Sequence, residues 1–167
     1  MLVRNPFNPT AVTRYVLNTD VVDLIGFCTK NPEPMQKYMD LLKPYHQYWF
    51  VTITPYGKDI EPNVPAKDSV IEAFKELSGI TGKNCIGWRY DPILLNEDWT
   101  IEAHTRAFSQ MASRLAGYTN TCVISFIDLY NKVRRNYPEV RGVSYEDQIR
   151  LTEIFVKIAD VYDMVIK

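Results

Sequence analysis

An α/β fold built on parallel strands is the class this sequence predicts. It is either an incomplete (β/α) barrel or an open parallel sheet of about four strand–helix units, with a hairpin-like segment at the N-terminus. Three observations point there. Short apolar runs recur along the chain, and each ends in polar residues. Each run is followed by a stretch whose apolar side chains repeat at spacings of three and four, the period of a helix packed on one face. The run centres lie about 25 to 40 residues apart, the reach of a βαβ unit. A chain of 167 residues is expected to form one domain over 1–167, whereas a complete eight-fold barrel needs on the order of 200 residues or more.

The elements follow in order. Residues 2–9 are extended and broken by two Asn/Pro turns, and residues 12–17 alternate loosely enough to pair back on them. Asn18, Thr19 and Asp20 offer a cap for a short helical turn over 21–24. The first strand of the repeating unit is 24–28, ending in Thr29, Lys30 and Asn31. Asn31 followed by Pro32 has the form of a helix cap with proline at the first helical position, and Met35, Tyr38, Met39 and Leu42 then share one face. Residues 48–54, rich in aromatic and β-branched side chains, make the second strand. A loop over 55–65 follows, stiffened by three prolines, with Gly57 suited to a turn of unusual φ. Val70, Ile71, Phe74 and Leu77 form the stripe of the next helix, which Gly79 is expected to end.

The chemistry concentrates in the third strand, 85–95, where an apolar run ends in Arg89 and Asp91 and Pro92 closes it. Proline removes a ladder donor and keeps the preceding residue extended, so regular pairing is expected to stop there. The helix beginning near Thr100 carries Ile101, His104, Phe108, Met111 and Leu115 on one face, which makes His104 a satisfied core or rim histidine before it is a ligand. The fourth strand, 122–127, ends at Asp128. A basic loop with Lys132, Arg134 and Arg135 follows, more in keeping with a solvated face than with a phosphate-binding groove, since aromatic residues do not interleave with it. Ser144 and Asp147 form a capping box for a last helix buried through Leu151, Ile154, Phe155, Ile158 and Tyr162.

Parallel strands share a direction, so their carboxyl ends share a rim, where sheets of this class build their sites. The rim candidates are Lys30, Asn31, Tyr56, Arg89, Asp91 and Asp128, and Arg4 and Asn5 join them if the N-terminal segment folds over the same edge. A guanidinium fork, an ammonium and two carboxylates suit a small polar or anionic ligand, and a buried aspartate could work as acid or base. The competing reading is a set of ion pairs that merely closes the strand ends, with Asn5 an Asx-turn scaffold.

Composition narrows the classes further. Hydrophobic residues at 46% and charged residues at 23% are those of an ordinary soluble domain. A net charge of −1 argues against a broad basic footprint for nucleic acid. No apolar run reaches membrane-spanning length and the N-terminus lacks a signal-peptide pattern. Cys28, Cys85 and Cys122 are scattered in apolar runs without any CxxC, which suits buried thiols in a reducing cytoplasm and no metal or cofactor site built by this chain alone.

Five segments together carry a resemblance: VRNPFNP (3–9), TKNP (29–32), TPYGKDIEPNVP (54–65), WRYDPILLNE (88–97) and VISFIDLY (123–130). In this order and spacing the chain resembles the bacterial and archaeal family called domain of unknown function 1848. The resemblance implies a barrel related to radical S-adenosylmethionine enzymes, with a [4Fe–4S] cluster and S-adenosylmethionine in full-length relatives, whose cluster cysteines lie near the C-terminus. The Arg89–Ile93 pattern is also similar in style to a strand of the spore photoproduct lyase group. None of the three cysteines here matches the cluster, Cys28 stands where relatives commonly have tryptophan, and the chain looks like the middle of the family domain. Two classes of function follow as expectations: the barrel core of a radical S-adenosylmethionine-type enzyme lacking the cluster-binding segment, or a non-catalytic module that binds a ligand or covers its sheet edge by self-association. A cluster-free hydrolase has little support from two histidines.

Overall fold

The computed structural model describes residues 2–138 and 140–167, apart from the side chain of Lys132, which falls outside the description together with its place in the basic run. Strands β1 (Leu2–Asn5) and β2 (Asn8–Arg14) form an antiparallel hairpin, exposed at every residue. The returning strand starts at Asn8, earlier than the sequence pattern suggests, because Asn5 makes the turn tight: its Oδ1 accepts the amides of Phe7 at 2.8 Å and Asn8 at 3.3 Å. A turn follows in which the Asn18 carbonyl accepts from Val21 and Val22, and Leu24 already belongs to the next strand.

Five strands then make one parallel sheet in sequence order: β3 (Leu24–Thr29), β4 (His46–Thr52), β5 (Ile86–Ile93), β6 (Thr121–Phe126) and β7 (Val165–Ile166). Strand β4 begins two residues before the expected start and β7 adds a short fifth strand. Helices α1 (Glu33–Gln36) and α2 (Met39–Leu42) link β3 to β4, α3 (Lys67–Thr81) links β4 to β5, and α4 (Ile101–Leu115) links β5 to β6. Between β6 and β7 lie α5 (Asn131–Asn136), where a loop was expected, and α6 (Tyr145–Val161). The single face expected through Met35, Tyr38, Met39 and Leu42 is divided, because Tyr38 leaves helical geometry at φ −107° and ψ 8°. Gly79 does not end α3, which runs on to Thr81 and stops at Gly82. There φ is +87°, a conformation a side chain would resist. Gly57, by contrast, keeps out of the left-handed region.

Right-handed crossovers between neighbouring parallel strands put α3, α4 and α6 on one side of the sheet. The main core lies between them: Trp49, Val51, Ile86, Trp88 and Tyr90 from the strands meet Phe74 and Leu77 of α3, Phe108 and Leu115 of α4, and Leu151 and Phe155 of α6. Rings stack through this layer, Trp88 on Phe108 at 4.8 Å and Phe108 on Phe155 at 4.0 Å between centroids. The helix ends are closed as the sequence indicates. Thr100 Oγ1 accepts from the Ala103 amide at 3.2 Å, and Ser144 Oγ accepts from Asp147 at 3.1 Å while donating to the Asp147 carboxylate.

Strand period sends alternate residues to the other face. Gly87, Arg89 and Asp91 therefore turn away from the helices. A Cβ at Gly87 would come within 2.9 Å of Tyr48 Oη, so the Tyr48 ring lies across the strand at this point. Cys28 also falls on this open face and is exposed, Cys85 is half-buried, and only Cys122 has the buried position expected of all three. Edge position explains Cys28: among the described residues β3 has a neighbouring strand on one side only.

Candidate functional site

The carboxyl end of the sheet carries two polar groupings. The first stands on the open face of β5. Arg89 forms an ion pair with Asp91, and the other Asp91 oxygen accepts a hydrogen bond from Ser125 of β6. Alternation along β5 places Arg89 and Asp91 on the same side, and the β5–β6 pairing, Arg89 opposite Val123, brings Ser125 alongside. Pairing does not stop at Pro92. The ladder skips Asp91 and Pro92 and resumes at Ile93 opposite Phe126, because a proline can sit in a bulge without contributing a donor. The irregularity leaves the Asp91 carboxylate half-buried and free of the ladder.

The second grouping joins the end of β3 to the loop after β4. Glu61 accepts ion pairs from both Lys30 and Lys67. Burial alone would raise the Glu61 carboxyl, but the two ammonium groups outweigh it and hold the group below the usual range. Thr54 stands close enough to help hold it down, yet its fully buried Oγ1 makes no hydrogen bond of ordinary geometry. The loop is shaped from inside, since the Gly57 carbonyl accepts the amides of Ile60 and Glu61. Below it Tyr56 is buried, its hydroxyl donating to the Pro92 carbonyl at 2.7 Å and accepting from the Leu94 amide at 3.1 Å. Burial pushes the Tyr56 phenol well above its ordinary value, so it works here as a neutral brace between the loop and the end of β5. Between this loop, Leu94 and α5 lies a cavity of about 360 Å³, with Lys30 and Glu61 in its wall.

The remaining sequence candidates stand apart from both groupings. Asn31 Oδ1 accepts from the Glu33 amide at 3.3 Å and serves the start of α1. Asp128 is exposed past the end of β6, with neither a hydrogen bond nor an ion pair among the described residues. Arg4 is exposed on the hairpin, and Asn5 has its side-chain oxygen in the turn. His104 is a core histidine. Its Nε2 donates to the Leu94 carbonyl at 2.7 Å and its Nδ1 accepts from the Tyr90 hydroxyl at 2.8 Å, while burial lowers its pKa. Glu61 and Lys67 escaped the sequence analysis, because nothing in a loop's composition says which of its carboxylates will turn inward.

Among the described residues no group of three or more His, Cys, Asp or Glu side chains could hold a metal ion. Cys28 and Cys122 are on strands that are not neighbours, so these thiols do not make the donor set of an iron–sulfur cluster. Nor is any helix among the described residues long and apolar enough to cross a membrane.

No curated protein matches the chain. Its fold is similar to that of spore photoproduct lyase in several solved structures. One is a variant with bound AdoMet and dinucleoside spore photoproduct, at TM-score 0.64 and 14% identity. Another is a cysteine variant, at TM-score 0.66 and 15% identity. A third is complexed with dinucleoside spore photoproduct, at TM-score 0.63 and 14% identity. In each case the match covers 84% of this chain and 49% of the other, so the chain spans about half the length of these structures. At such identity the likeness is one of fold: sequential parallel strands with helices on one side. The family model for DUF1848, a domain of unknown function, matches residues 1–167, and the chain belongs to that family.

Proposed function

We propose that this chain is the barrel core of a radical S-adenosylmethionine-type enzyme, and that it lacks the residues for the cluster. The observation that carries the reading is the Arg89–Asp91–Ser125 grouping, on the open face of a sheet whose fold matches an enzyme solved with AdoMet. Arg89 offers a planar fork to a carboxylate, and Asp91 offers acceptors to hydroxyls or an ammonium, which are the groups S-adenosylmethionine presents. Bound S-adenosylmethionine supplies radical chemistry when a reduced cluster is at hand. The part left to this chain is to hold and orient it, with Ser125 fixing the Asp91 carboxylate. Equilibrium dialysis tests the reading. S-adenosylmethionine is expected to bind the chain, about tenfold more weakly after Arg89→Met or Asp91→Asn, the effect of losing a hydrogen bond to a charged group. Absence of binding, or equal binding by all three proteins, overturns it. Anaerobic addition of iron and sulfide is expected to leave the chain without stoichiometric [4Fe–4S] absorbance.

A second reading, a non-catalytic module that binds a ligand and self-associates, draws on the sheet edges. Strand β7 is the outer strand of the sheet among the described residues, and beside it α6 exposes Tyr145, Ile149 and Val156 at helical spacing. A second copy covering this stripe would make the chain a dimer in sedimentation equilibrium, and Ile149→Glu would return it to monomers.

A further inference from the structure

The lining of the cavity beside Glu61 has an apolar part and a charged part. Its walls include Tyr56, Ile60, Val64, Leu94 and Tyr137, beside the exposed polar side chain of Asn63. The Tyr56 hydroxyl is held between Pro92 and Leu94, and Tyr137 donates to the Ile60 carbonyl at 3.2 Å. What these tyrosines present to the cavity is ring surface. Around Glu61 the balance is different. Lys30 and Glu61 line the cavity and Lys67 holds Glu61 from outside that lining, so among the described residues two ammonium groups share one carboxylate and one positive charge is left over. Lys30 is the more open of the two lysines, with 41% of its side chain exposed against 24% for Lys67. Glu61 is only 8% exposed, so it anchors the lysines without offering much of itself to a ligand.

We propose that this cavity binds a small carboxylate with an apolar body, the carboxylate meeting Lys30 and the body lying against Tyr56, Val64 and Leu94. One net charge matches one carboxylate. A phosphate brings up to two negative charges to a single net positive one, and no arginine is among the lining residues to add a planar fork. A volume of about 360 Å³ suits a small molecule, at the lower end of the range for ligand pockets. The proposal rests on the reading of this sheet edge as a ligand site, but on residues separate from Arg89 and Asp91, and it names the class of substrate that edge would take.

Isothermal titration calorimetry with 4-phenylbutyrate tests it on the full chain. The carboxylate is expected to bind, and 4-phenylbutanol, which lacks the charge, at least about tenfold more weakly. Lys30→Met should weaken 4-phenylbutyrate by a similar factor, and Val64→Phe, which narrows the cavity without touching the charges, should weaken it as much. Inorganic phosphate is expected not to compete. Equal binding of the alcohol, competition by phosphate, or wild-type binding in Lys30→Met or Val64→Phe overturns the proposal. Lys30→Met that fails to fold leaves the decision to Val64→Phe and the alcohol. Loss of S-adenosylmethionine binding in the Arg89 and Asp91 variants is measured separately, so either site can fail while the other stands.

Discussion

Arg89, Tyr90 and Asp91 are consecutive on one strand, yet they serve opposite faces of the sheet under different rules. Tyr90 points into the helix layer, where burial raises its phenol and its hydroxyl donates to His104, itself neutral and braced on Leu94. Every polar atom of that pair has a partner, and rings of Phe108 and Phe155 close round it. Arg89 and Asp91 point the other way, where the pair is about a quarter open to solvent: 31% and 18% of the two side chains are exposed. The difference teaches where stability and binding are kept apart. A closed polar pair in an apolar layer fixes the strand, while an ion pair with open flanks still has hydrogen-bonding capacity for a ligand.

The contrast breaks most visibly if the helix layer is cut. Phe155→Ala removes a ring stacked on Phe108 and packed edge-on to Tyr90, and is expected to cost about 3–5 kcal/mol in urea denaturation. A loss below about 1 kcal/mol would mean that the layer repacks, and that the strand is not fixed from this side.

His104→Leu comes next. It leaves the Tyr90 hydroxyl and the Leu94 carbonyl buried without their partner, a loss on the order of 2–3 kcal/mol. Its signature is in the pH dependence. Because burial lowers the folded-state pKa of His104, the unfolded chain binds the proton first as pH falls below about 6.5, so wild-type stability declines there and levels off once the folded state also titrates. The difference between wild type and His104→Leu isolates that slope from Glu61. The lowered carboxyl of Glu61 contributes stability that is present above about 4.3 and lost as pH falls through its folded-state value. A difference curve flat between pH 5 and 7 would show that His104 titrates in the fold as it does in the unfolded chain.

How much of this was legible in the sequence depends on whether the residue follows a period. The stripes through Val70–Leu77 and His104–Leu115 could be read because burial on one helix face repeats with the helix, and the Ser144–Asp147 cap because its spacing is fixed. Arg89 and Asp91 were legible as a pair because residues two apart on a strand share a face. Gly79 misled because a glycine inside a helix and one ending it look alike until φ is known. The bulge at Pro92 was hidden because it depends on the register of β6, a neighbour more than thirty residues away in sequence. Loop contacts such as Lys67 with Glu61 follow from where two elements meet, and no local pattern encodes them.

The smallest expected effect is on the open face, and it sharpens the comparison. Arg89→Met and Asp91→Asn, combined in a double-mutant cycle, are expected to show a coupling of about 1 kcal/mol, since both side chains keep contact with water. Ser125 should hold part of the Asp91 interaction when Arg89 is gone, so Arg89→Met alone costs less than His104→Leu. Added salt should shrink the coupling, because exposed charges are screened and buried neutral partners such as His104 and Tyr90 are not. A salt-insensitive coupling as large as the His104 effect would place Arg89 and Asp91 among the groups that hold the sheet together. The open face would then have no polar capacity to spare for a ligand, and the two sides of β5 would differ only in which residues they use for the same task.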